Sequence, residues 1–332
     1  MTPAKRWLKR SLSASGLLQM ATRLAAPAVA ILAYHSVNDH PEELADTLGG
    51  IVHPTAGFRQ QMELLAREFH PVSLNDVLLF VQGKKKLPAK PVAVTFDDGY
   101  ADNFQVVSPV LKAFDIPASF YLIVDCVDRA TLPWVARLRL AFSRTQIGRW
   151  TDPTGWSWSL TAITGRYGAL QAAFDYCARL RAGMQQEFVE ATARQLEVDW
   201  PAQSNLMMTW EQARKLVKQG HTLGSHTMTH PNVSYLAVED LRFELAQSKR
   251  RMEKELGASV VHFSYPCPAL QPHWNQQTLE LCRTLGYDTA VTSRSGPVRT
   301  GDNALSLRRV PPTTDVDGLR WNLECTFLGR AV

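Results

Sequence analysis

Pro91-Val92-Ala93-Val94-Thr95-Phe96-Asp97-Asp98-Gly99 is the stretch on which the fold turns. Its first six residues carry no charge and show no alternation, so they read as a strand buried on both faces. Two carboxylates and a glycine follow with no spacer. In a parallel sheet the reactive residues gather at the carboxyl ends of the strands, and a buried run that ends in charge fits that position.

On either side of this stretch, other apolar runs alternate with helical patterns. Val29 to Tyr34 ends at His35, Ala118 to Val124 follows Pro117, and Thr222 to Ser225 delivers His226. Further extended pieces are expected at Pro71 to Leu74, Val260 to Tyr265, Thr289 to Thr292 and around Arg308-Arg309-Val310. Between them, helices are expected from Phe58 to Phe69, Asp76 to Val81, Val106 to Phe114 and Asn275 to Leu285. Thr209-Trp210-Glu211-Gln212 is a capping box that opens another helix, stopped at Gly220. A long amphipathic helix runs to Leu256, with Leu241, Leu245, Met252 and Leu256 on one face and Gly257 as its stop. This order predicts an α/β fold, a distorted (β/α) barrel.

The rhythm breaks between about 128 and 206. A hairpin near Trp150 to Leu160, turning at Asp152-Pro153-Thr154-Gly155, and helices at 170–181 and 185–196 make this a mostly helical insertion. The expected organisation is one catalytic domain over 26–332 behind a basic segment, 1–25. Trp134, Trp150, Trp156, Trp158 and Trp200 belong to the insertion. They read either as packing residues or as aromatic faces for sugar rings.

The 332 residues are 45% hydrophobic and 20% charged, a globular composition, with a formal net charge of +5. The five cysteines, Cys126, Cys177, Cys267, Cys282 and Cys325, lack C-x-x-C spacing and favour a reducing compartment over a disulfide framework. The basic residues are dispersed, which argues against a nucleic-acid partner. Lys5, Arg6, Lys9 and Arg10 stand beside an apolar face of Trp7, Leu8, Leu12, Leu17, Leu18 and Leu24. Residues 1–24 therefore read as a surface helix or a peripheral contact with the inner face of a membrane, and the expected location is cytoplasmic.

Three polar clusters end predicted strands: Asp97-Asp98, His226 with His230, and Tyr265-Pro266-Cys267. Adjacent carboxylates at a strand end point apart, so one can bind a metal while the other serves as a base. Two imidazoles and one carboxylate make a three-ligand set that leaves coordination positions open, the pattern of catalytic zinc.

Thr95-Phe96-Asp97-Asp98-Gly99-Tyr100 and Ser225-His226-Thr227-Met228-Thr229-His230-Pro231 resemble the first two motifs of the polysaccharide deacetylases, carbohydrate esterase family four. Tyr34-His35-Ser36-Val37 and Phe263-Ser264-Tyr265-Pro266 resemble further motifs of that family. The resemblance implies a barrel of the polysaccharide deacetylase type that removes N-acetyl groups from an amino-sugar glycan or lipid-linked saccharide, as in exopolysaccharide synthesis. It implies that Asp98, His226 and His230 hold a divalent metal, with zinc expected, and that Asp97 is the general base. The N–H of Cys267, after Tyr265 and Pro266, would receive the oxyanion. The sequence departs from the family at Ser264, where an arginine is usual, at Cys267, and in having no histidine after His273. Arg308 or Arg309 would then replace the arginine, Asp288 would support the fourth motif, and His35 would be the general acid. The rivals are a deformylase or deacylase of a lipid-carried amino sugar, and a carbohydrate-binding protein without turnover.

Overall fold

Seven parallel strands form one sheet in this computed structural model, which describes residues 26–44, 51–199 and 205–332. They are β1 (Ala30–Tyr34), β2 (His70–Pro71), β3 (Pro91–Phe96), β4 (Ala118–Leu122), β5 (Thr222–Ser225), β6 (His262–Ser264) and β7 (Thr289–Val291). The order is β1-β3-β4-β5-β6-β7, with β2 paired to the start of β3. Leu307–Val310 bridges the two outer strands. On one side it exchanges backbone hydrogen bonds with Ala290 and Thr292, and on the other with Ile31 and Ala33. That segment closes the sheet into the expected distorted barrel.

Chain order gives helices α1 (Thr55–Glu68), α2 (Leu74–Val81), α3 (Ser108–Ala113), α4 (Val124–Arg129), α5 (Trp134–Arg144), α6 (Ile163–Cys177), α7 (Ala182–Gln195), α8 (Trp210–Lys218), α9 (Val238–Leu256), α10 (Gln276–Thr284) and α11 (Val316–Phe327). The Thr209 capping box is formed on both sides, and Gly257 ends α9 at φ 65°. Among the described residues no helix is long and apolar enough to cross a membrane.

Register carries the site. Tyr34 lies beside Phe96 and Phe96 beside Phe120, with ring centroids 5.4 and 5.0 Å apart and stacked. The strand ends are therefore level, and the residues after each of them emerge at one rim. Close packing across this sheet leaves no room at Gly224 of β5. A Cβ there would stand 2.5 Å from the Tyr121 ring and 2.9 Å from the His262 carbonyl oxygen. Gly224→Ala is expected to destabilise the fold by about 1–3 kcal/mol through overpacking, read as a lower denaturation midpoint. An unchanged midpoint would refute it.

Some expectations shift. The strand expected over 118–124 ends at Leu122 because Val124 already begins α4, and the strand expected over 260–265 contracts to β6. The strand and helix pattern legible in the sequence stops at Val310 and does not include α11, which Asp315 caps and which buries Leu319, Leu323 and Phe327 against the barrel. The insertion holds α5, the hairpin Arg149–Thr151 with Ser157–Ser159, α6 and α7. Its apolar cluster buries Trp134 and Trp150, with Trp158 packed against it, as packing residues; Trp156 is 65% exposed. Trp200 and the basic segment 1–25 lie outside the described residues.

Candidate active site

The rim holds a pocket of about 300 Å³ lined by His35, Asp97, Asp98, His226, His230, Cys267 and Arg309, among others. Asp97 follows β3, with its N–H bonded to the Tyr34 carbonyl. The chain then turns through Asp98 at φ 73° and Gly99 at φ 82°, which separates the two carboxylates. Thr227 and His230 also have positive φ, at 70° and 65°. Non-glycine residues enter this region rarely, so three around one pocket mean the surroundings impose it.

Asp98, His226 and His230 bring their ligand atoms within 4.8 Å of one another, all three residues buried. Asp98 Oδ1 lies 3.5 Å from His226 Nε2 and 3.6 Å from His230 Nε2, and it is buried without a hydrogen-bond partner. Such distances are too long for hydrogen bonds. They suit a shared cation: two bonds of about 2.0–2.1 Å at a tetrahedral angle set their ligand atoms about 3.4 Å apart. His226 Nδ1 lies 2.7 Å from the Ser264 carbonyl oxygen, which accepts its proton and leaves Nε2 free to ligate. Burial pushes the His230 imidazole down to about 3, against the pull of Asp98, so its ring is neutral as a ligand requires.

Asp97 is held differently. Arg309 Nη1 donates to Oδ1 at 2.8 Å and Nη2 to Oδ2 at 2.7 Å, and the Ser264 hydroxyl donates to Oδ2 at 3.2 Å. Burial would raise this carboxyl, but Arg309 above all, with His226 and His35, holds it well below the ordinary carboxylate range. It is ionised at any physiological pH. Of the two arginines expected to hold it, only Arg309 does so. Arg308 points the other way to Asp302 at 3.5 Å, because successive residues of an extended segment face opposite sides.

Asp288 takes no part either. It is exposed just before β7, at the opposite rim from the pocket, where its N–H bonds the Val261 carbonyl. Tyr265 is buried in the core, donating its hydroxyl to the Leu305 carbonyl, so it supports the wall without facing the pocket. Pro266 is buried behind it, while Cys267 lines the pocket, with Sγ 3.2 Å from His273 Nε2. His35 does reach the pocket. Burial lowers its imidazole pKa, while Asp98 and Asp97 pull it back up.

Three supports escape a reading of motifs alone. Ser264 serves both halves of the site, its hydroxyl on Asp97 and its carbonyl on His226. Trp134 of the insertion donates its Nε1–H to the His230 carbonyl at 2.9 Å. Glu244 on α9 accepts from Met228 N at 2.9 Å, Thr229 N at 3.0 Å and Thr229 Oγ1 at 2.7 Å, holding the loop between the two histidines. Its signal in the sequence is a carboxylate within the apolar face of an amphipathic helix. Burial raises Glu244 from 4.5 to about 7 even with these donors. An acid whose folded pKa is raised contributes stability below its unfolded pKa and loses it as pH climbs to the folded one. Wild type should therefore weaken relative to Glu244→Gln between about pH 4.5 and 7, by on the order of 3 kcal/mol. Parallel stability–pH curves for the two proteins would exclude this.

A family model described as polysaccharide deacetylase matches residues 84–290, more than half of the chain. Over 98 residues the chain is 36% identical to the poly-beta-1,6-N-acetyl-D-glucosamine N-deacetylase of Escherichia coli, a stretch covering 29% of this chain and 14% of that protein. In structure it is similar to the Streptococcus pyogenes deacetylase PplD, at TM-score 0.61 and 19% identity, covering 91% of this chain and 99% of that one. It is also similar to IcaB from Ammonifex degensii, at TM-score 0.59 and 20% identity, covering 90% and 98%. At these identities the structural likeness concerns the fold.

Proposed function

Since the chain belongs to the polysaccharide deacetylase family, hydrolases of carbon–nitrogen amide bonds, we propose that it is a metal-dependent N-deacetylase of an amino-sugar glycan. The observation that carries this is the pairing of two carboxylates with opposite surroundings. Asp98 faces two histidines with an orphaned oxygen, and Asp97 is clamped as an anion by Arg309. Asp98, His226 and His230 would hold a divalent ion, which when bound acidifies water and polarises the amide carbonyl.

The protein's own residues do the rest. Asp97 accepts the proton of the attacking water, and Arg309 and Ser264 fix its orientation. The water oxygen adds to the carbonyl carbon, and the backbone N–H of Cys267 at the pocket wall receives developing negative charge. As the C–N bond breaks, an amine leaves only with a proton, and His35, which lines the pocket, would give it. Burial disfavours its charged form while Asp98 and Asp97 favour it, so as negative charge grows beside it His35 would take up the proton that Asp97 removed from the water and pass it to the leaving nitrogen.

The test is release of acetate and free amine from a panel of N-acetylated amino sugars, including β-1,6-linked glucosamine oligomers and chitooligosaccharides. Hydrolysis that a chelator stops supports the reading; hydrolysis of no member overturns it. His35→Ala should slow amide hydrolysis about 100-fold, yet barely slow an aryl acetate, whose leaving group needs no proton. Equal losses on both would remove His35 from the acid role.

A further inference from the structure

Arg139 brings to the pocket a cation that pairs with no carboxylate among the described residues. It stands on α5 one turn after Val135, so both side chains leave the same face of that helix and line the pocket with Asp97 and Asp98. Among the described residues it makes no hydrogen bond and no ion pair, and its Nε is buried without a partner. The guanidinium carbon sits 5.5 Å from the centroid of the Phe174 ring, and Phe174 packs edge-on against Trp134. The aromatic face positions the group without using its N–H donors.

Its neighbours are otherwise engaged. Arg309 is consumed by Asp97 and the Thr292 carbonyl, and Arg137 pairs with Gln186 and Glu190. Its Nε is buried without an acceptor, which is costly, and the rest of the partly exposed guanidinium keeps its donors open to the pocket, so an acceptor from outside the protein would complete the site. Charge points the same way. Asp97 and Asp98 balance Arg309 and Arg139, so a divalent ion on Asp98, His226 and His230 leaves the pocket with excess positive charge.

We propose that Arg139 is a specificity-determining residue and that the N-acylated sugar carries an oxyanion group, phosphate or carboxylate, which Arg139 binds. The proposal rests on the deacetylase reading of the same pocket and narrows its substrate class. The planar fork of donors suits either group as a bidentate partner.

Calorimetric titration with three probes tests it: N-acetylglucosamine, N-acetylglucosamine 1-phosphate and N-acetylmuramic acid. They share one N-acylated ring and differ in bearing no charge, a phosphate or a carboxylate. Wild-type protein should bind at least one charged probe roughly tenfold or more tightly than the neutral sugar, the size of a charge-assisted hydrogen bond. Which probe gains names the source of the anion. Arg139→Gln should erase the preference and raise KM for the charged sugar far more than for the neutral one, while Arg139→Lys should keep part of it. A wild type without preference, a preference that survives Arg139→Gln, or equal weakening on all three probes would overturn the proposal. Because the readout is binding, hydrolysis of the neutral sugar without an Arg139-dependent preference refutes this inference alone. A preference without hydrolysis of any amide refutes the deacetylase reading alone.

Discussion

Asp97→Asn is expected to lower kcat by about 10²- to 10⁴-fold, the range for removing a general base that has no substitute. Asp97 is 2% exposed and the guanidinium clamp leaves it little freedom to swing aside, while the neighbouring Asp98 carboxylate faces the two histidines instead. Asparagine keeps one acceptor for Arg309 but turns an amide toward the other N–H, leaving a buried guanidinium without its counter-charge. Some stability should be lost as well, because breaking a buried pair by removing one partner commonly costs about 3–5 kcal/mol. Turnover must therefore be compared at a temperature where circular dichroism shows both proteins folded. Metal content measured on the same samples should be unchanged, because Asp97 is not in the ligand set. A variant that retains kcat within a few-fold would reduce Asp97 to a structural ion-pair partner.

The second large effect is loss of the ion itself. His226→Ala with His230→Ala should bring bound metal from about one per chain to none after dialysis, and abolish amide hydrolysis. Asp98 alone supplies one oxygen, whereas catalytic zinc sites use three protein ligands. The fold should survive, because the strand, the Trp134 bond to the residue-230 carbonyl and the Glu244 bonds to the loop do not use the imidazoles. Elemental analysis finding full occupancy in the double variant would end the assignment of this metal centre.

Much of this arrangement is legible before folding. β3 and β5 have the bounds expected from their residues; β3 in particular is a fully buried, uncharged run that the carboxylates of Asp97 and Asp98 end. The start of α8 and the stop of α9 are equally readable, since a capping box and a left-handed glycine act within one turn of chain. Asp97, Asp98, His226 and His230 come from the same logic. Each stands directly after a buried strand or within one short loop of it, so local order delivers them to one rim.

Other contacts depend on distances across the chain that periodicity does not encode. Two adjacent arginines, Arg308 and Arg309, are equal in sequence. Only the pairing of Leu307–Val310 between β7 and β1 decides which faces inward, since a shift of one residue would exchange them. Asp288 follows a motif-like pair, yet it precedes its strand and so comes out at the wrong rim. Trp134 and Arg139 belong to an insertion whose helical pattern says which face is apolar, but not which loop or pocket that face meets. Glu244 looks like an error in an apolar stripe until α9 packs against the 226–230 loop and supplies three donors. Local order along the chain places β3, β5, the start of α8, the stop of α9 and the four residues at the strand ends, because those depend on neighbours within a few residues. Which arginine clamps the base, which helix walls the pocket and where Arg139 stands follow from register and packing, which are settled only when distant elements meet.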